Sequence, residues 1–184
     1  MFHVSGYMIH DRRGFTMIEL LVTVATIALL ASYMLLYTSK SRNQIALYVQ
    51  ESKIVRILSR SKSLAIATYN SPDVPCGYGV RIKYAENAYA LYRYNASDCA
   101  NIASIDVGSS DYQEIQVFPL PANIVFENGV EAMDTVIFIP PDPKTRIWSG
   151  GLPFTAVQGN VYLRTVDGSA RVTVSVTPAG QISF

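Results

Sequence analysis

Few side chains in this 184-residue sequence are placed to do chemistry. Glu19 is the single ionisable group in a 23-residue apolar run from Phe15 to Tyr37. A carboxylate deep in a membrane helix costs about 2.5–3.5 kcal/mol, so a charge there is a functional hypothesis by default. At headgroup level the same carboxylate would cost little. Cys76 and Cys99 both follow the run. If the run carries the remainder out of the cytoplasm, the two cysteines meet an oxidising compartment. There a pair in a small domain usually forms a disulfide; two buried free thiols are the alternative. The acids Asp106 with Asp111, and Glu131 with Asp134, read as surface loop residues. None has the spacing of an EF-hand calcium loop.

The apolar run must position Glu19. It contains no Pro and no Gly. As a helix rising 1.5 Å per residue it extends about 35 Å, enough to cross a hydrocarbon core of about 30 Å. A secretory signal has an apolar region of only about 7–15 residues, so this run is too long for one. Ala31 and Ser32 imitate a small-residue cleavage site, but Leu29 fits the −3 position poorly. An ordinary membrane anchor fits the length equally well. Composition agrees with a hidden apolar segment: 49% of residues are hydrophobic and 16% charged, against about 25% charged in soluble domains. The net charge of +1 gives no support to a strongly basic nucleic-acid binder or an acidic tail protein. Residues 1–62 carry a net +5 and residues 63–184 a net −4. A basic front and a mildly acidic body suit a membrane-proximal and a distal part.

The stretch Arg12-Arg13-Gly14-Phe15-Thr16-Met17-Ile18-Glu19-Leu20-Leu21 closely resembles the processing site of type IV prepilins and pseudopilins. In that family a short basic leader ends in Gly, an aromatic residue follows, and Glu stands fifth in the mature chain. With Phe15 first, Glu19 is fifth. The resemblance implies cleavage by a prepilin peptidase between Gly14 and Phe15, N-methylation of Phe15, and fibre assembly through Glu19. In a fibre the Glu19 carboxylate would pair with the amino terminus of a neighbouring subunit, offsetting its burial and setting axial register. Gly14, without a side chain, lets its peptide bond enter a narrow active site. Arg12 and Arg13 favour a cytoplasmic leader, although Lys40 and Arg42 flank the other end. One departure is plain. Many pilins carry a proline near the twenty-second mature position, which is Leu36 here, and none precedes Pro72. The resemblance is strong over residues 12–37 and weak beyond them.

From Lys40 to Tyr69 the chain continues without Pro or Gly, and Leu47, Ile54, Ile57, Leu58, Leu64 and Ala65 recur at helical spacing. One long helix from Phe15 to Tyr69 is expected, ending before Asn70-Ser71-Pro72. After Cys76 the period becomes alternating. Residues 79–84 and 89–94 read as a hairpin, with further strands at 114–118, 123–127, 135–139, 160–166, 170–176 and 181–184. Asp167-Gly168 and Pro178-Ala179-Gly180 are turn signals. Pro140 to Gly151, with three Pro and two Gly, is expected to be a loop. The fold class is α+β, a long helix whose second half packs on an antiparallel sheet. Four segments follow: a cleaved leader 1–14, a membrane-spanning and fibre-core helix 15–39, an amphipathic continuation 40–70, and a β domain 71–184.

The closing run, Val161 to Ser175 and then Thr177-Pro178-Ala179-Gly180, is similar to the last strands of GspH/FimT-type minor pilins and pseudopilins. The resemblance therefore implies a structural subunit of a type IV pilus or a type II secretion-like fibre. Its implied partners are prepilin peptidase, other pilin subunits, an inner-membrane assembly platform, and membrane lipid before assembly. It implies a single pass in the cytoplasmic membrane, leader inside and β domain outside, then an extracellular or periplasmic fibre. A major pilin, a pilin that binds DNA or an adhesion ligand, and a plain anchored domain are the alternatives. Some members of the group bind DNA through basic residues near the C-terminus. Here Gln181 to Phe184 has no base, and Arg164 and Arg171 are the only nearby cations, so DNA is not favoured. The basic face from Lys53 to Lys62 reads as solvated or matched to headgroups, with a DNA-contacting stripe as the sharper alternative; it lacks aromatic interleaving. His3 and His10 lie in the leader, so the mature chain has no histidine for Ser-His-Asp or Cys-His catalysis. No enzyme, metal or cofactor is expected. Tyr78, Tyr84, Tyr89, Tyr92 and Tyr94 cluster in the first hairpin. They read as cross-strand packing, with an exposed contact surface as the sharper alternative.

Overall fold

The computed structural model describes residues 15–69, 75–95, 99, 102–129, 131–140, 144–153 and 156–184. The expected leader 1–14 with Gly14, and the Asn70-Ser71-Pro72 helix stop, lie outside them. The expected helix forms as α1, Met17–Thr68, and contacts divide the chain into two units, Met1–Ser39 and Lys40–Phe184.

In the first unit, α1 is apolar on every side. Met17–Met34 has a mean hydropathy of 1.9, and none of its residues is buried. At 1.5 Å per residue these 18 residues extend about 27 Å, close to a hydrocarbon core. This one helix is long and apolar enough to span a membrane. Three of its hydroxyls are satisfied internally. Thr23 Oγ1 donates to the Leu20 carbonyl at 2.9 Å, Thr26 Oγ1 to Val22 at 3.0 Å, and Ser32 Oγ to Ala28 at 2.9 Å. Lipid requires that, because it offers no partner.

In the second unit, the continuation of α1 buries Leu47, Gln50, Glu51, Ile54, Ile57, Leu58, Ser61 and Ala65. These positions recur every three or four residues and form one stripe. Ten strands follow. β1 (Gly77–Lys83) and β2 (Ala88–Tyr94) form the expected hairpin, with Val80 opposite Leu91. Its turn places Asn87 at φ 49, a left-handed conformation that Asn tolerates. β3 (Tyr112–Pro119) pairs with β2, and a bulge interrupts the register opposite Leu91 and Tyr92. β4 (Ile124–Glu127) precedes β5 (Thr135–Ile139), β6 (Lys144–Ser149) and β7 (Leu152–Pro153). β8 (Gly159–Thr165), β9 (Arg171–Val176) and β10 (Ile182–Ser183) complete the chain. One sheet runs β3-β2-β1-β5-β6-β7 and the other β10-β9-β8-β4. Every named strand pair is antiparallel.

The helix stripe shares one apolar core with both sheets. Val80, Leu91 and Val136 come from the larger sheet, and Ile124, Leu163 and Val174 from the smaller. Fully burying one such side chain stabilises by about 1.5–3 kcal/mol. A second core lies on the other face of the larger sheet, around Cys76, Tyr92, Tyr94, Ile137, Ile139 and Trp148. β5 feeds both because successive side chains alternate: Val136 and Phe138 enter the first core, Ile137 and Ile139 the second.

The expected loop from Pro140 to Gly151 is corrected by β6, which pairs with β5 from Thr135↔Trp148 to Ile139↔Lys144. Its prolines and glycines stand at its ends rather than through it. Pro140 lies in a turn, and Gly150 and Gly151 take φ of +60° and +76°. Between them Thr145, Ile147 and Trp148 are buried.

Candidate functional site

The candidate site begins where α1 begins. Thr16 and Glu19 form a capping box. The Glu19 amide donates to Thr16 Oγ1 at 3.3 Å, and the Thr16 amide donates back to Glu19 Oε2 at 3.5 Å. Thr-x-x-Glu before an apolar run is a sequence-readable cap that satisfies orphan amides at a helix start. Sequence reasoning treated Glu19 for its charge alone and missed this local role. The contact at 3.5 Å is at the long limit of a hydrogen bond, so the carboxylate is only loosely held. Glu19 is exposed, as is Phe15. The positive end of the helix dipole favours a negative charge at this position. Chemically, the start of α1 presents one carboxylate, about one helical turn from Phe15, beside a wholly apolar surface. Gly14, the other residue singled out here, lies outside the described residues.

The second element of chemistry is covalent. Cys76 and Cys99 are joined by a disulfide, Cα to Cα 5.0 Å, 23 residues apart. Cys76, just before β1, belongs to the second core, and Cys99 packs against it. The bond fastens the segment after β2 to the start of β1.

The remaining candidates resolve individually. Asp106 caps its own loop: Gly108 N donates to Asp106 Oδ1 at 2.9 Å. Asp134 differs from the expected surface residue. Its Oδ2 accepts from Gly151 N at 3.2 Å, while Oδ1 is buried with no hydrogen-bond partner. Burial, and then the Asp134 charge, push the Tyr84 hydroxyl up to about 12. Among the described residues no three His, Cys, Asp or Glu side chains gather as metal ligands. The hairpin tyrosines are core residues: Tyr78, Tyr89, Tyr92 and Tyr94 are buried, and Tyr92 donates to the Val136 carbonyl. Near the C-terminus, Arg171 pairs with Glu127 at 3.2 Å and lies over the Tyr162 ring, 4.6 Å from its centroid. One of the two cations weighed for DNA contact is therefore already engaged. No protein-family model, curated protein or solved structure matches this chain.

Proposed function

We propose that this protein is a structural subunit, a minor pilin or pseudopilin, of a type IV pilus or type II secretion-like fibre. It is processed after Gly14 and assembles through its N-terminal helix. The run Arg12 to Leu21, followed by an apolar helix with one carboxylate, carries the reading. Three features support it. Among the described residues, Met17–Met34 is apolar and none of it is buried. Glu19 stands one turn from the residue that becomes the amino terminus after cleavage, so an α-amino charge and a carboxylate share one end of the helix. The chain after this helix is an α+β unit with a disulfide, which suits an exported head. The closing strands add the likeness to the GspH/FimT type.

The test is the mass of the N-terminal peptide of the protein isolated from its native membrane. A peptide starting at N-methylated Phe15 is the expected result. A start at Met1 would reduce the protein to an ordinary anchored domain. A start near Ser32 would mean conventional secretion and remove the fibre.

A further inference from the structure

β3 is an outer strand of the larger sheet, and among the described residues its free side pairs with no other strand. Its middle carries apolar side chains in the open: Ile115 is 44% exposed and Val117 43%. Protein edges of this kind are usually blunted, because their unpaired amides and carbonyls recruit other strands. Here the bulge at Ile115 and the ring of Pro119 bound the exposed stretch; between them the Val117 amide and carbonyl point away from β2, while Gln116 and Phe118 pair with Leu91 and Tyr89.

Beside that stretch runs a groove of about 390 Å³ in the second unit. Ile57, Tyr89 and Phe118 supply apolar lining, with the Tyr89 and Phe118 rings stacked at 5.1 Å. Lys53, Arg56 and Arg60 line it from the helix, and all three are exposed. Arg60 reaches only the Gln116 amide oxygen, at 3.5 Å. No described carboxylate pairs with any of the three cations. Three uncompensated charges beside an apolar floor and an open strand edge are complementary to one kind of ligand.

We propose that the Gln116–Phe118 edge of β3 accepts an extended acidic segment of another protein as an added strand, its carboxylates seated over Lys53, Arg56 and Arg60. The spacing fits. Arg56 and Arg60 are separated by about 6 Å of helix rise, and alternate side chains of a strand by about 6.6–6.8 Å. Carboxylates at every second residue would meet both, and main-chain bonds to β3 would supply affinity, as in other strand additions. A second copy of this chain fits poorly. Its own β3 acid, Glu114, is bound to Lys83 at 2.8 Å, and β3 pairing with β3 would bring further cations to the groove. A nucleic acid would find three clustered charges on a unit whose net charge from Lys40 on is only +1, a weak field for a polyanion. The proposal stands apart from the fibre function, since every residue in it lies in Lys40–Phe184.

The probe is a fluorescein-labelled peptide of alternating glutamate and valine, titrated at low salt against the full chain in detergent micelles and followed by anisotropy. Saturable binding is expected, weakened by about tenfold or more in K53Q/R56Q/R60Q. These side chains are exposed, and an unchanged circular-dichroism melt would show that the variant is folded. The same peptide N-methylated at alternate residues should bind at least about tenfold more weakly, and hydrogen exchange at the Val117 amide should slow only with the unmodified peptide. Absence of saturable binding overturns the proposal. So does equal binding of the N-methylated peptide, which would leave only a charged patch, or duplex DNA that binds the same cations without being displaced by the peptide.

Discussion

Two carboxylates show how surroundings decide what one residue contributes. Glu51 sits in the buried stripe of α1, and burial raises its pKa. The native state therefore holds its proton more tightly than the unfolded chain. Stability falls as pH rises through the interval above the ordinary carboxylate value. Glu51→Gln should stabilise the fold at neutral pH by about 1 kcal/mol, or about 2–4 °C in Tm, and give no gain in acid. Thermal melts at neutral and acidic pH would check this. Glu114 behaves oppositely. Burial alone would push it up, but hydrogen bonds from Lys83 and Tyr112 outweigh burial and lower it. That hydrogen bond, with the charges of Glu114 and Glu86, raises Lys83. The pair's contribution is present between the two ordinary values. It is lost as pH falls through the lowered carboxylate value, or rises through the raised lysine value. Glu114→Gln should cost about 1 kcal/mol at neutral pH and nothing well below the carboxylate range, read by denaturant titration at both. Neither residue's behaviour was legible in the sequence. Glu51 there is one more polar helix residue, and Glu114 meets Lys83 only through the topology of three adjacent strands. The Thr16–Glu19 cap was missed although its four-residue signature is local and could have been found.

At the scale of elements, the helix was read nearly to its ends, because a three-to-four-residue apolar period persists without Pro or Gly. Most strands were also read, because alternation is a local signal and Asp167-Gly168 marks a turn, with Gly168 at φ +69°. β6 was hidden because the glycines and prolines at its two ends dominate a short window. Thr145 and Ile147 nevertheless alternate inward there. Pairings between distant strands could not be read, and they control the tightest contacts. Gly79 in β1 lies against β5 and β2, where a Cβ would collide with the Val136 carbonyl oxygen and the Tyr92 hydroxyl. Backbone cannot give way as a flexible side chain does. Gly79→Ala should therefore cost about 3 kcal/mol, seen as a lowered denaturation midpoint with the slope retained. Removing the disulfide with C76S/C99S should cost about 3 kcal/mol by releasing the unfolded chain. A matching loss in wild type under reducing conditions would check it.

For the whole molecule, the candidate site rests on the sequence alone. Gly14, Phe15 and Glu19 are adjacent in sequence, and their chemistry needs no tertiary structure to assemble it. On the fibre function we propose, Glu19→Ala should leave membrane insertion intact and abolish incorporation into fibres, measured by recovery of the protein in sheared fibre fractions. Equal recovery would sink that role for Glu19. The hydroxyls of Thr23, Thr26 and Ser32 bear on the same step. Because each is already bonded to its own helix, these three hydroxyls make no polar demand on a neighbour. The segment can leave one oily medium and enter another, lipid for a bundle of like helices, without breaking those hydrogen bonds. On that same proposed function, extraction from the bilayer would be a partition between two nonaqueous solvents, with the single carboxylate at the segment's end selecting between them.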